Sequence, residues 1–523
     1  MSSQIIHKSP LPDVEIPVTA LTPFILARAD ELGDKTALVD GPTGREVSYS
    51  QLASQIKSLA GGLVARGFGT GDVLAIMAPN VPEYAVVFHG VAMTGGAITT
   101  INPTYTADEV GHQLQNSGAS IMVTVGMVAE TAAAAAAQAG ITDVYTLDQT
   151  EDYPSLSELM GEPLEEQVEV TPEEDVVVMP YSSGTTGLSK GVMLTHQNLV
   201  ANVVQFSEPQ GFTEDEAFVA VLPFFHIYGM QVLMNAGLNV GATIVTMPRF
   251  DLEQFLSLND QYECTRAYVA PPIVVALAKH PLVDQFDLTN LQQIFSGAAP
   301  LSAEVGEEAG GRLGCEVVQG YGMTELSPVS HTTVPGDYKP GSVGVTVPNA
   351  ESMIVDPSSG ESLGVDERGE LWVRGPLVMK GYFGNESATA STIDADGWLH
   401  TGDVAVIDSD GHVYIVDRLK ELIKYKGFQV PPAELEALLL THPAVADAAV
   451  IGLQDDEAGE LPVGYVVLKD GEEASEDDIK AFVAEEVATY KQLHRITFMD
   501  EIPKSASGKI LRRVLRDEAE PIS

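Results

Sequence analysis

Apolar positions along the chain recur with two alternating periods. Leu52, Ile56, Leu59 and Leu63 fall at helical spacing, with Ser50 placed to cap the start and Gly67 placed to end the helix. Strand-like "DVLAIMA", helical "EYAVVFHGVAMTG", strand-like "GAITTIN", helical "TADEVGHQLQNSG" and strand-like "ASIMVTV" follow in order. This rhythm predicts βαβ units, and therefore a mostly parallel sheet covered by helices. The alanines from Ala132 to Ala137 occupy a helical slot, as the best helix former should. From about Gly341 to Val416, short strands such as "GELWVRGP" and "GHVYIVD" are broken by Gly, Pro and Asp, which predicts a small β subdomain. Beyond Asp417 the character changes again. "PPAELEALLLTH" enters a helix through prolines, "VADAAVIG" and "VGYVVLK" read as strands, and "SEDDIKAFVAEEV" opens on a capping signal, so the C-terminal hundred or so residues form a separate small domain.

A chain of 523 residues exceeds one ordinary hydrophobic core, and 45% hydrophobic against 20% charged residues marks it as globular. No apolar run approaches the roughly 20 residues that span a bilayer. No secretory signal is visible in "MSSQIIHKSPLPDVEIP", and "EAEPIS" is not a serine-lysine-leucine peroxisomal address, so a cytoplasmic location is expected. Cys264 and Cys315 are expected to be two ordinary buried thiols in a reducing compartment. The net charge of −46 argues against nonspecific nucleic-acid or anionic-membrane binding. Any anionic substrate then needs a local cationic site.

"YSSGTTGLSKGVMLTH", residues 181 to 196, offers such a site between strand-like "DVVVMPY" and helical "HQNLVANVVQF". Glycines at 184, 187 and 191 allow close backbone approach, while the hydroxyls and Lys190 add donors suited to polyphosphate. It is not a Walker A loop, because Gly184 is followed by "TTGLSK" rather than four residues and a Gly-Lys-Ser/Thr end.

This loop resembles the signature of the adenylate-forming superfamily of acyl-CoA synthetases, luciferases and peptide-synthetase adenylation domains. The resemblance continues in order through "LPFFHIYGM", "FSGAAPLS", "QGYGMTELSPV", "GWLHTGD", "DRLKELIKYKGFQVPPAELE" and "PKSASGKILRR". It is nearest to the 4-coumarate–CoA ligases. It implies an α/β fold with a large multi-subdomain N-terminal domain, residues 1–419, and a small mobile α+β domain, residues 420–523, hinged near Lys420. It also implies a two-step reaction in which an acid attacks the α-phosphorus of ATP and the acyl-adenylate is then passed to CoA.

By the same resemblance, Ser182, Ser183, Gly184, Thr185, Thr186 and Lys190 hold the β- and γ-phosphates, and Glu325 with Thr185 positions Mg²⁺. Gly297, Ala298 and Ala299 flank adenine opposite Tyr321, within a nucleotide site that also takes in Gln319, Gly320, Gly322 and Thr324; Asp403 and Arg418 meet the ribose. Lys509 reaches the α-phosphate and the substrate carboxylate during adenylation, with His226 beside them. In the second step Lys424 and Gln429 contact the adenylate, and Lys426, Gly427 and Arg249 contact CoA. Strand alternation would place Lys424 and Lys426 on one side with Tyr425 opposite.

The acyl pocket maps to Tyr228, Gly297, Gly322, Pro328 and Val329, where two glycines are expected to leave a flat slot for a hydroxycinnamate ring. Leu326-Ser327 replaces the Ala-Gly usual before the Pro-Val pair in plant ligases. A medium-chain fatty acid is the alternative substrate. A luciferase-like oxidoreductase, an adenylation domain serving a carrier protein and a non-catalytic nucleotide-binding protein are the competing classes. The retention of Lys190, His226, Glu325, Asp403, Arg418, Lys424 and Lys509 speaks against the last.

Overall fold

The βαβ rhythm of the first 150 residues is built as the pattern predicts. A computed structural model describes residues 4–182, 189–426, 428–455, 458–505 and 508–519. Val73–Met77, Ala97–Ile101, Ala119–Thr124, Asp143–Thr146 and Val176–Ser182 run parallel in a seven-stranded sheet completed by antiparallel Lys190–Thr195 and Gly381–Tyr382. Helices Pro82–Met93, Ala107–Ser117 and Ala129–Gln138 lie in the intervening positions.

Two details differ from the pattern. Helix Tyr49–Ala65 is capped by Ser48 rather than Ser50: Ser48 Oγ accepts from the Gln51 amide while the Gln51 side chain accepts from the Ser48 amide. Tyr49 is already on the buried face, which moves the start forward. Gly67 does follow the end of the helix, with φ +84.

The larger difference lies after residue 189. "KGVMLT" forms a strand, Lys190–Thr195, antiparallel to Val176–Ser182, and helix His196–Gln210 starts only after it. The strands on either side of residues 183–188 are thus antiparallel partners, and helix His196–Gln210 begins only after the second of them. Val192 and Leu194 are buried, and their alternation pins this strand to the sheet.

A five-stranded sheet begins with parallel Arg266–Val269, Gln293–Ser296 and Glu316–Gly322 and turns antiparallel through Val329–Thr332 and Val345–Thr346. A four-stranded sheet contains Thr36–Asp40, Arg45–Ser48, Ala217–Ala220 and Thr243–Thr246. The expected β subdomain is not closed on itself. Glu351–Val355, Gly369–Arg374, Leu399–Ile407 and Val413–Arg418 join His7–Lys8 from the other end of the chain, whereas Val345–Thr346 and Gly381–Tyr382 go to other sheets.

Apolar packing changes hands after this region. Ile423, Val430, Leu435, Leu439, Val450, Val466 and Ile496 bury one another in a separate core around a five-stranded sheet. Among the described residues, no helix is long and apolar enough to cross a membrane.

Candidate active site

The carboxyl ends of parallel strands from two sheets meet at one cavity of about 620 Å³. Ser182 ends Val176–Ser182, Gly297 and Ala298 follow Gln293–Ser296, and Gly320 to Gly322 end Glu316–Gly322. Ligands of open α/β sheets bind in such crevices because strand ends turn into loops there. Leu399–Ile407 and Val413–Arg418 close a third side, and the turn carrying Lys509 closes the fourth.

Most of the expected residues converge on it. Ser182, Lys190, His226, Tyr228, Gly297, Ala298, Gly320, Tyr321, Gly322, Thr324, Glu325, Pro328, Val329, Asp403, Arg418, Lys420 and Lys509 all line the cavity. Ala299 does not, and Gln319 lies beneath the wall, its Oε1 accepting from the Leu301 amide at 3.0 Å. Lys424, Lys426, Gln429 and Arg249 lie outside it and are at least partly exposed. Ser183, Gly184, Thr185, Thr186 and Gly427 fall outside the described residues.

Asp403 and Arg418 are direct partners across two antiparallel strands, and their side chains pair at 3.4 Å. Tyr321 Oη donates to the second Asp403 oxygen at 2.5 Å. Burial, with Asp403 beside it, raises the Tyr321 pKa well above the usual phenol value, so it remains a donor. An edge-on carboxylate beside an aromatic face can take two vicinal hydroxyls next to a stacked base.

Opposite, buried Glu325 sits on the short turn Thr324–Leu326. Ser182 Oγ and Tyr382 Oη donate to it at 3.1 and 2.8 Å, both on Oε1. Among the described residues no hydrogen bond reaches the second oxygen. No group of three or more His, Cys, Asp or Glu side chains able to hold a metal occurs among the described residues. A single buried carboxylate lining the cavity fits a magnesium ion whose other ligands would come from a bound phosphate, since Mg²⁺ is commonly bound through one or two carboxylates plus phosphates.

His226 is half-buried and its pKa falls to about 4, through desolvation and then the nearby Lys509 charge. It is neutral near pH 7. The Tyr228 amide donates to Nδ1 at 3.3 Å, which places the proton on Nε2 and makes that nitrogen a donor. The Lys509 side chain remains accessible through the cavity, yet the surrounding protein brings its pKa down to about 8. Desolvation is the main cause; Arg418 and Arg512 add to it, and Asp403 and Glu325 oppose it. Lys509 is presented by a tight turn in which the Gly508 amide donates to the Ser505 carbonyl at 2.8 Å.

Two expectations need correction, and the departure at Leu326-Ser327 falls away from the cavity. The glycines do not open the slot: a Cβ at Gly297 would lie 2.8 Å from the Tyr228 ring, and one at Gly322 would lie 2.0 Å from the Pro328 carbonyl oxygen. Protein fills that space, with the Tyr228 ring beside Gly297 and the Pro328-Val329 backbone beside Gly322. Leu326 and Ser327 do not line the cavity; Leu326 is buried and Ser327 Oγ donates to the Leu377 carbonyl at 2.7 Å. Finally, strand Ile423–Tyr425 stops before Lys426, which turns with φ +49, so alternation does not extend to it.

Gly297→Ala is expected to push Tyr228 into the slot and raise KM for an aromatic acid about tenfold, as overpacking commonly costs. The KM for ATP should rise less, staying within about twofold, since the three heavy atoms nearest the added Cβ all belong to Tyr228, expected in the acyl pocket, even though Gly297 is also expected to flank adenine. Steady-state kinetics with each substrate varied would show this; an equal rise in both would place the residue differently.

Sequence reasoning missed Tyr382, whose signal was only an aromatic after Gly381, and Thr100, Asn102 and Tyr105, which line the cavity from strand Ala97–Ile101 and the turn after it.

The model of AMP-binding enzymes matches residues 26–383, and the model of the AMP-binding enzyme C-terminal domain matches residues 434–509. The chain belongs to the AMP-binding enzyme family. This AMP-binding enzyme is 45% identical over 525 residues to 4-coumarate–CoA ligase 3 of Oryza sativa subsp. japonica, covering 98% of this chain and 94% of the relative. It is 43% identical over 524 residues to 4-coumarate–CoA ligase 1 of Petroselinum crispum, covering 98% and 96%. Among solved structures, the anthranilate CoA ligase AuaEII in complex with anthranoyl-AMP has a TM-score of 0.89 at 26% identity, covering 96% of this chain and 97% of that one. ATP-bound MatB from Rhodopseudomonas palustris gives 0.86 at 29% identity, covering 94% and 98%; its apo form gives 0.77, covering 95% and 98%.

Proposed function

We propose that this AMP-binding enzyme is an ATP-dependent acid–CoA ligase that adenylates 4-coumarate or a related hydroxycinnamate and transfers the acyl group to CoA, releasing pyrophosphate and AMP. The observation that carries this reading is the position of Lys509, held by the C-terminal unit within electrostatic reach of His226, Asp403, Arg418 and Glu325. A carboxylate has no usable leaving group until its oxygen is placed on phosphorus. In the first step Lys509 and the Nε2 proton of His226 neutralise charge on the attacking carboxylate and the α-phosphate, while Lys190 and the loop hold the departing pyrophosphate. Mg²⁺ bound with ATP supplies further charge neutralisation, and Glu325 is the residue that would hold it. Tyr321, Asp403 and Arg418 orient the nucleoside.

The arrangement suits this first step. Lys509 is inside the cavity, whereas Lys424, Lys426 and Gln429 are outside, and the fold superposes better on ATP-bound than on apo MatB. For the second step, residues 420–523 turn about a hinge near Lys420, withdraw Lys509 and bring Lys424 and Gln429 to the adenylate. Lys426, Gly427 and Arg249 are then assigned to CoA. A Cβ built on Gly508 would lie 3.1 Å from the Ala270 Cβ and 3.6 Å from Pro272 Cδ, a close approach this turn would release.

The kinship to 4-coumarate–CoA ligases and the Tyr228 ring in the cavity lining support an aromatic acid. Product mass spectrometry with ATP, Mg²⁺ and either 4-coumarate or octanoate, with and without CoA, tests it. The expected result is 4-coumaroyl-CoA with AMP; dominant octanoyl-CoA would overturn the aromatic assignment, and adenylate without thioester would overturn the acceptor.

With 74 acidic and 28 basic side chains, the surface repels the polyanions ATP and CoA. Raising salt from about 0.1 to about 1 M shortens the screening length from about 10 to about 3 Å. The kcat/KM for CoA is therefore expected to rise about threefold or more over this range, opposite in sign to the usual loss at a basic anion site. A monotonic fall would show that local cations dominate.

A further inference from the structure

Lys190 and Glu325 bear opposite charges on one wall of the cavity, and both touch the same side chain. Lys190 Nζ stands 4.7 Å from the centroid of the Tyr382 ring, and Tyr382 Oη donates to Glu325 Oε1 at 2.8 Å. Among the described residues, the Glu325 carboxylate receives Ser182 and Tyr382 and forms no ion pair with Lys190. Tyr382 is fixed from behind. It pairs with Val192 in the hairpin strand that starts at Lys190, so its side chain shares a face with Lys190 two residues away. Its own amide donates to Thr389 Oγ1 at 2.9 Å, and the side chain is 7% exposed.

Opposite charges that contact one ring in a partly buried site would gain from pairing directly, and a pair so formed would have to be broken before either met a ligand. An aromatic ring offers each a different partner: its face attracts the ammonium, and its hydroxyl satisfies one carboxylate oxygen. We propose that Tyr382 is a positioning residue that keeps Lys190 and Glu325 apart, leaving the ammonium for polyphosphate and the free Glu325 oxygen for the accompanying divalent cation. This rests on the reading that the cavity takes ATP with magnesium.

The test uses calorimetric titration of the full-length protein and its Tyr382→Phe and Tyr382→Leu variants with α,β-methylene-ATP and with AMP, each with and without Mg²⁺. AMP lacks the β- and γ-phosphates and so serves as the internal control. Tyr382→Leu, which loses ring and hydroxyl, is expected to weaken α,β-methylene-ATP about tenfold while AMP stays within about twofold. Tyr382→Phe keeps the ring and should retain the Mg²⁺-free affinity, but should need about tenfold more Mg²⁺ for half of the metal-dependent gain. Equal weakening of AMP would reduce Tyr382 to a structural residue and overturn the proposal, as would unchanged α,β-methylene-ATP binding in the leucine variant or an unchanged Mg²⁺ requirement in the phenylalanine variant. Failure of the unsubstituted protein to bind either nucleotide would instead overturn the ATP reading beneath it.

Discussion

Lys509→Ala is expected to lower acyl-adenylate formation about a thousandfold, the loss seen when a preorganised charge is removed from a developing oxyanion. Thioester formation from supplied acyl-adenylate should remain within about threefold, because the proposed role confines Lys509 to the first step. The two rates separate cleanly: acid-dependent exchange of pyrophosphate into ATP reports the first, and CoA thioester from synthetic adenylate reports the second. Equal losses in both would remove the step-specific role. The pH dependence carries a sign. The free-enzyme pKa is about 8, brought down chiefly by desolvation, so the ammonium is charged below that pH and lost above it. The kcat/KM for the exchange reaction should therefore fall as pH rises through about 8. Bound polyphosphate favours the charged form, which should move the kcat profile to higher pH. An unshifted alkaline limb in Lys509→Arg would assign that limb to another group.

The second large effect concerns stability. Arg512 donates to both Glu436 oxygens at 2.8 and 2.7 Å and to the Val450 carbonyl at 3.2 Å, and both side chains are nearly enclosed. Arg512→Met leaves a buried carboxylate without its partner, a loss of about 3–5 kcal/mol. Burial already pushes the Glu436 pKa up, with Arg512 opposing that push. Without the arginine the acid rises further, so the folded form gains from its protonation. A carboxyl whose folded pKa lies above its unfolded value loses stabilisation as pH rises through the folded pKa. The deficit should accordingly be smaller at about pH 5 than at about pH 8. Hydrogen exchange across residues 423–515, compared with residues 21–413, would locate the loss; uniform exposure of both units would show that they unfold together.

How far the sequence went depended on the kind of signal. Helices and strands with strong periodicity emerged where expected, because the pattern that buries Leu52, Ile56, Leu59 and Leu63 is the one that forms the helix. Its first residue shifted because Tyr49 packs too, and packing is invisible to a capping rule. Lys190–Thr195 was absorbed into a loop reading because only Val192 and Leu194 mark it and the glycine-rich text before it dominates. His226, Asp403 and Lys509 were identified from motif context alone; no spacing rule links positions so far apart. The glycines at 297 and 322 were correctly placed at the cavity, yet what they make room for is protein. A missing Cβ reveals a close approach and says nothing of which atom comes close. Tyr382 joins Lys190 only through strand pairing, a tertiary fact.

The two-residue strand Gly381–Tyr382 also closes the outer edge of the seven-stranded sheet, flanked by bonds from the Lys380 and Phe383 amides to the Met193 and Gly191 carbonyls. Strand Lys190–Thr195 would otherwise offer a row of unpaired backbone groups to a second molecule. The segment that contacts Lys190 and Glu325 thus also covers part of the edge through which a second molecule would pair. Substitutions that loosen it would cost solubility along with turnover, and precipitation on storage would be their earliest symptom.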